Sequence, residues 1–254
     1  MPVTVTQTET RVSRMTRPYV WMSLVALLVR LAVVPFVYRD WMDPFVLEHW
    51  AFGLIARSIA SGHGFGSPFA DTGASALLPP VYSYLLAGIF KVFGIETMNS
   101  VLAALSLNSL FSALTCIPVY MLAKQALGER VAKWAGWGWT FSPYGIYYGA
   151  DWAWSTCLVT LELACLLFFA WKMESSRRTR DWFWFGLLGG FAALTEPVTL
   201  SVVPLLGLWT LYRRYHLKLS WKIPMFAAAV AALAVISPWL IRNYELFHRF
   251  IPVR

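Results

Sequence analysis

The chain has 254 residues, of which 58% are hydrophobic, 17% aromatic and only 13% charged, with a formal net charge of +8. A soluble domain carries about 25% charged residues, so one core cannot absorb this apolar surplus and lipid must solvate much of it. The basic residues fall in short loops between apolar runs, a pattern that topology explains better than a nucleic-acid surface does.

Apolar runs of crossing length recur along the chain. They are too long and too unalternating for barrel strands, so the backbone must satisfy itself as helix. The expected fold is all-α: a polytopic membrane helix bundle of about seven transmembrane helices, with a large outer loop bearing interfacial helices. Residues 1–18 read as a cytoplasmic tail containing Arg11, Arg14 and Arg17. No small-residue cleavage site follows the first span, at 19–38, so it reads as an uncleaved anchor.

Residues 39–98 form the outer loop. Leu47, Trp50, Leu54, Ile55 and Ile59 recur at helical spacing, which predicts one interfacial helix over 45–61. Gly62 to Gly73 is glycine-rich and predicts a turn region. Pro79-Pro80 then opens a second short helix, with proline in its permitted first turn. The segment 80–94 is apolar but short and holds Lys91.

Six further spans follow, at 99–123, 132–149, 153–172, 182–197, 198–213 and 223–241. If 80–94 does not cross, fourteen of the twenty-one Lys and Arg lie inside and six outside, with Arg30 within a span. If it does cross, eleven of them move outside, against the positive-inside rule. The first arrangement puts residues 39–98, Asp151, the Thr195-Glu196-Pro197 turn and the tail from Arg242 on the outer face. No repeat, linker or low-complexity tract divides the chain.

Carboxylates near a membrane mark a site or a structural pair. The outer set comprises Asp40, Asp43, Glu48, Asp71, Glu96, Asp151, Glu196 and Glu245. Most read as solvated loop residues. Glu48 stands out because it lies on the predicted interfacial helix beside His49 and Trp50, where it is either a base or a solvated face. Arg30 and Glu162 lie at similar depth in the first and fourth spans, some 12–14 Å from the outer end at ~1.5 Å per residue. Opposite charge at equal depth predicts a buried pair that holds two helices in register. Aromatic residues from Trp137 to Trp154 form either an interfacial belt or a stacking surface for a sugar ring. Cys116, Cys157 and Cys165 sit inside apolar runs without metal-ligand spacing. No motif fixes a metal: paired carboxylates could hold a divalent ion, but no ligand cluster indicates one.

Taken as a set, these residues resemble the conserved half of the GT-C membrane glycosyltransferases. The likeness is greatest to the bacterial family-39-like branch, which includes protein O-mannosyltransferases and the lipid A aminoarabinose transferase. Glu48-His49, followed by Ala56-Arg57-Ser58-Ile59-Ala60-Ser61-Gly62-His63-Gly64-Phe65, matches the spacing of the family's first-loop pattern. Pro79-Pro80-Val81-Tyr82, Phe93-Gly94 and Ser237-Pro238-Trp239-Leu240-Ile241-Arg242-Asn243 resemble three further elements. The chain departs from the pattern at two points. Glu48 and His49 stand where the family has an Asp-Glu pair, and the second acidic position falls at Ser155, with Asp151 one turn earlier.

The resemblance implies a multi-pass enzyme of the bacterial inner membrane. It would transfer a sugar from a polyprenyl-phosphate-linked donor to a lipid, glycan or protein acceptor at the outer face. Family members continue past the seventh span, so residues 19–254 would be a module lacking a C-terminal portion. In that chemistry Glu48 is the candidate base, Asp151 its partner and Asp43 the alternative. Arg242, and second Arg57, would bind the departing lipid phosphate, and Glu48, Asp151 and Arg242 would converge on one outer-facing cavity roofed by the 45–61 helix and the Pro79-Pro80 segment. His49, Trp50, His63, Pro80, Tyr82 and Trp154 would line the substrate. A transporter or lipid flippase working through Arg30 and Glu162, and a non-catalytic scaffold, are the alternatives.

Overall fold

The computed structural model describes residues 18–69, 73–174, 176 and 178–252. Most of the basic tail, together with Asp71, Arg177 and Arg254, lies outside them. The described residues are helical apart from loops and one isolated antiparallel bridge, Gly66 to Ala74. In chain order the helices are α1 (Pro18–Val37), α2 (Pro44–His49), α3 (Ala51–Ala60), α4 (Pro80–Phe93), α5 (Met98–Leu114) and α6 (Cys116–Leu127). There follow α7 (Glu129–Thr140), α8 (Pro143–Ala150), α9 (Thr156–Met173), α10 (Thr179–Thr195), α11 (Thr199–His216) and α12 (Lys222–Phe247). A 3-10 turn, Asp40–Met42, joins α1 to α2.

Four helical segments among the described residues are long and apolar enough to cross a membrane: α1, the near-continuous α5–α6 of 30 residues, α9 and α12. The other three expected spans fall short of that standard for separate reasons. The third is broken into α7 and α8. The fifth is α10, of 17 residues. The sixth is α11, which carries Arg213, Arg214 and His216 in its last turn.

The break after α7 is written locally. Pro143 takes the first position of α8, and the Ser142 hydroxyl accepts from the Gly145 amide at 3.3 Å. A broken helix strands carbonyls that lipid cannot satisfy. Arg30 answers them. Its guanidinium is fully buried and donates to the carbonyls of Trp139, Thr140 and Gly145 at 3.2, 3.1 and 3.0 Å, to Ala26 one turn back at 2.9 Å, and to the Ser112 hydroxyl at 2.8 Å. The expected Arg30–Glu162 pair is therefore not formed. Glu162 instead accepts from the Thr195 hydroxyl at 3.0 Å, and no ion pair among the described residues joins it to Arg30.

Close helix packing rests on small residues. A Cβ on Gly186 would lie 2.0 Å from the Ala228 carbonyl oxygen, and one on Gly190 would lie 2.9 Å from that of Ala232. This four-residue glycine spacing lets the α10 backbone lie against α12, as small residues do at membrane helix contacts. At one end of the bundle, called here the loop end, Trp41, Trp50, Phe52, Tyr82, Phe90 and Trp239 join one core.

The interfacial helix expected over 45–61 is two helices, broken at Trp50. Trp50 has ψ near 86°, and its buried indole donates to the Ala153 carbonyl at 2.9 Å. That anchor redirects the chain where hydrophobic periodicity alone reads straight through. The second short helix begins at Pro80, as the sequence predicts.

Candidate functional site

Between α8 and α9 the chain leaves helix for five residues, Asp151 to Ser155, and each of the first four carbonyls there is met by a side chain. Trp41 Nε1 donates to Asp151 at 2.8 Å and Trp50 Nε1 to Ala153 at 2.9 Å. Asn108 Nδ2 donates to Trp152 and Trp154 at 2.6 and 3.0 Å. The buried Tyr82 hydroxyl in turn donates to Asn108 Oδ1 at 3.1 Å. With its carbonyls satisfied, the segment presents its side chains in fixed positions.

Those side chains form one wall of a cleft of about 360 Å³, with Asp40, Trp41, Phe45, His49 and Trp50 on the other. Burial pushes the Asp151 carboxyl above the usual aspartate range, the Trp41 indole opposes that rise, and the Asp40 carboxylate adds to it. His49 Nδ1 lies 2.7 Å from the Phe45 carbonyl oxygen. A carbonyl only accepts, so Nδ1 carries the hydrogen, and Nε2 is an acceptor while the ring is neutral.

A second region surrounds Arg242, near the end of α12. Its Nη1 donates to the Ser75 carbonyl at 2.9 Å and to Asn243 Oδ1 at 2.8 Å, and its Nη2 to the Phe65 carbonyl at 2.9 Å. The guanidinium carbon lies 4.5 Å from the Trp239 ring centre and 5.2 Å from that of Phe65. The 61–79 loop is shaped for this approach: Gly62 and Gly64 have φ of +87° and +79°, a region that favours glycine.

Arg242 lines two cavities. One is an apolar groove of about 540 Å³ between α4, α10 and α12, walled by Pro80, Tyr84, Phe191, Leu194 and Trp239. The other is a more polar cavity of about 640 Å³ under the loop, with Ser58, His63 and Ser67. Those same three residues also line a third cavity, of about 460 Å³, which contains Glu48 and Arg57. Groove, loop cavity and Glu48 cavity thus adjoin through shared residues.

Glu48, Asp151 and Arg242 do not share a single cavity, contrary to the expectation from their placement at one face; each lines a different one. Of the other expected site residues, His63 lies between Arg242 and Glu48, and Pro80 walls the groove. His49, Trp50 and Trp154 line the Asp151 cleft. Tyr82 is buried and acts through Asn108. Asp43 caps α2, accepting from the Phe45 amide at 2.8 Å. Arg57 is held by Glu96 at 3.1 Å.

The roles of two residues in this region escape sequence reasoning. Asn108 is an amide in an apolar span, and that polarity was its available signal. Glu196 accepts from the buried Ser155 hydroxyl at 3.2 Å, so the position where the family pattern is acidic is served here by a serine bonded to a carboxylate from another helix end. No group of three or more His, Cys, Asp or Glu among the described residues is placed to hold a metal ion.

A family model described as dolichyl-phosphate-mannose-protein mannosyltransferase matches residues 78–241. The match contains Pro80, Tyr82, Asn108, Asp151 and Trp154; Glu48 and Arg242 lie outside it. No curated protein matches, and no solved structure does.

Proposed function

The chain belongs to the dolichyl-phosphate-mannose-protein mannosyltransferase family, membrane glycosyltransferases of the GT-C type, and from that premise we propose that it transfers a sugar from a polyprenyl-phosphate donor to an acceptor at the outer membrane face. The observation that carries this reading is the position of Arg242, between an apolar groove and a polar cavity. A lipid phosphate needs just such a junction: apolar surface for the chain, a cation for the phosphate, and room beyond it for a sugar.

In this scheme the polyprenyl chain lies in the α4–α10–α12 groove. Arg242 binds the phosphate and stabilises the charge that grows on it as the bond from the anomeric carbon to the phosphate oxygen breaks. The sugar occupies the loop cavity beside His63 and Ser58. Glu48 takes the proton of the acceptor hydroxyl as its oxygen bonds the anomeric carbon. Asp151 orients the acceptor from the neighbouring cleft. Asp43 is the weaker alternative as base because it already caps α2, and Arg57 the weaker phosphate ligand because Glu96 holds it.

The loop end is assigned to the outer face, with seven crossings and the N-terminus inside, because fourteen basic residues then lie inside against six outside. Labelling a cysteine placed at Ser176 tests this; reaction from the outer side only would overturn it. A bacterial inner membrane fits the family branch that the first loop resembles. The transporter alternative loses its working pair, since Arg30 is committed to backbone carbonyls and does not meet Glu162, which accepts from Thr195 through one oxygen.

The test is Glu48→Gln, which keeps shape and hydrogen bonding. Sugar transfer by the protein reconstituted in lipid should fall by roughly 100-fold or more, the span of general-base effects, while donor binding persists. Unchanged transfer would remove Glu48 from the chemistry.

A further inference from the structure

We propose that the Asp151 cleft is a binding site for an organic ammonium group. Aromatic rings make up most of its wall, and the charged side chains among its lining residues are the carboxylates Asp40 and Asp151, with no Lys or Arg. His49 adds an acceptor, because its Nδ1 hydrogen is spent on Phe45. The indole donors of Trp41 and Trp50 are likewise spent, on the carbonyls of Asp151 and Ala153. These two rings therefore offer the cleft aromatic surface without a free N–H. Ring faces and carboxylates together attract a cation and repel an anion.

The cage is built before any ligand arrives. Trp41 packs edge-on against Trp50 at 5.3 Å and against Trp152 at 6.2 Å, and Trp152 lies 6.1 Å from Trp154. The segment bearing Asp151, Trp152 and Trp154 is pinned by the four carbonyl contacts already described. Binding thus orders few groups, and little of the interaction energy is lost to entropy. Phosphates and carboxylates are excluded by the two like charges, which separates this cleft from the Arg242 region. The lining residues of the two regions do not overlap. The inference stands on this cleft alone; if transfer is also as proposed, the ammonium belongs to the acceptor side.

The experiment uses the whole chain in nanodiscs of phosphatidylglycerol, titrated calorimetrically with choline, ethanolamine, glucose and inorganic phosphate. Choline or ethanolamine should saturate a site, and glucose and phosphate should not. The Asp40→Asn/Asp151→Asn double variant should weaken amine binding by about tenfold or more, since one tenfold step is only ~1.4 kcal/mol. Trp152→Ala, which leaves every pinning bond of the segment in place, should weaken choline more than ethanolamine. Weaker choline binding in discs containing phosphatidylethanolamine would identify a lipid headgroup as the source, and equal binding a soluble amine; either supports the site. Glucose binding as tightly as choline, no saturation by either amine, or amine binding unchanged in the double asparagine variant with its thermal unfolding intact would overturn it. None of these readouts needs sugar transfer, so a failure here is distinct from failure of the Glu48 test.

Discussion

Arg30 and Arg242 each sit in a long apolar helix and each bond backbone carbonyls, yet they are embedded in opposite ways. Arg30 is sealed in the bundle, and its three nitrogens are spent on four carbonyls and a serine hydroxyl. Arg242 bonds two loop carbonyls and Asn243, lies over two aromatic rings, and opens on two cavities. A charge within a membrane helix is by default a functional candidate. Here that default separates into two cases, decided by what the guanidinium still faces rather than by its depth. Arg30 repairs a broken helix; Arg242 has somewhere to put a ligand.

The sharpest way to break this contrast is to remove each arginine. Arg30→Ala orphans the Thr140 carbonyl, takes one of two donors from the carbonyls of Trp139 and Gly145, and leaves a cavity in the bundle; a buried orphan alone costs ~1–3 kcal/mol, and the cavity adds to it. Thermal unfolding in detergent should show a loss of roughly 4 kcal/mol or more, or no folded protein at all. Arg30→Lys should recover little, because an ammonium cannot reach acceptors spread across a planar fork. Arg242→Ala should leave unfolding within about 1 kcal/mol of the parent, as its carbonyl partners lie in the loop where water can replace it. Its kcat/KM for donor should fall by roughly 100-fold, about the worth of one charge-assisted contact to phosphate. A variant pattern with stability lost at Arg242 and kept at Arg30 would reverse the assignment.

How far each arginine was legible in the sequence follows from the same contrast. Depth could be read for Arg30, because helical rise converts position into distance. Its partners could not, since depth says nothing about which side of the helix a residue faces. Two of the carbonyls it serves, those of Trp139 and Thr140, leave the helical ladder only because α7 stops at Thr140. Ser142-Pro143 carried the signal for that stop, but the surrounding apolar run hid it. Arg242 was legible as a cation emerging from the last span. Its groove was not, because α4, α10 and α12 come together only in three dimensions. The broken helix at Trp50 was hidden likewise: the apolar spacing continues through it, and the hydrogen bond to Ala153 that turns the chain is long-range. The distribution of basic residues placed Glu48, Asp151 and Arg242 at one face but could not tell one cavity from several.

A smaller effect sharpens the Arg30 side. Gly145 follows the break, and a Cβ there would lie 2.7 Å from Arg30 Nη2. Gly145→Ala should therefore push the guanidinium off its acceptors and cost ~1–3 kcal/mol, the usual penalty of overpacking. A Cβ added at Gly138, on α7, would meet nothing within 4 Å, so Gly138→Ala is the control and should be neutral or slightly stabilising in thermal unfolding. Equal losses at both glycines would mean that helix propensity, not the arginine, sets the cost.

The smallest expected effect concerns the cleft that neither arginine enters. Burial raises the Asp151 carboxyl above the usual aspartate value of about 4. An acid with a raised pKa takes up its proton earlier as pH falls, so the cleft loses a negative charge at a pH where an ordinary aspartate keeps its own. Choline keeps its charge throughout, and its affinity should therefore decline on acidification, with a midpoint above the ordinary aspartate range. The other charged groups near the cleft are Asp40 on the 3-10 turn, Arg39 and Asp43 flanking it, and His49 on α2. Protonation of His49 would repel choline in the same sense. The titration is accordingly made in the His49→Gln background, where a remaining midpoint belongs to a carboxylate, and Asp151→Asn should then abolish it. A loss of only a few-fold across the transition is expected, since Asp40 still faces the cation and salt screens both charges. Affinity that rises on acidification would mean that the cleft prefers a neutral or anionic ligand, and its likeness to a cation cage would fall with it.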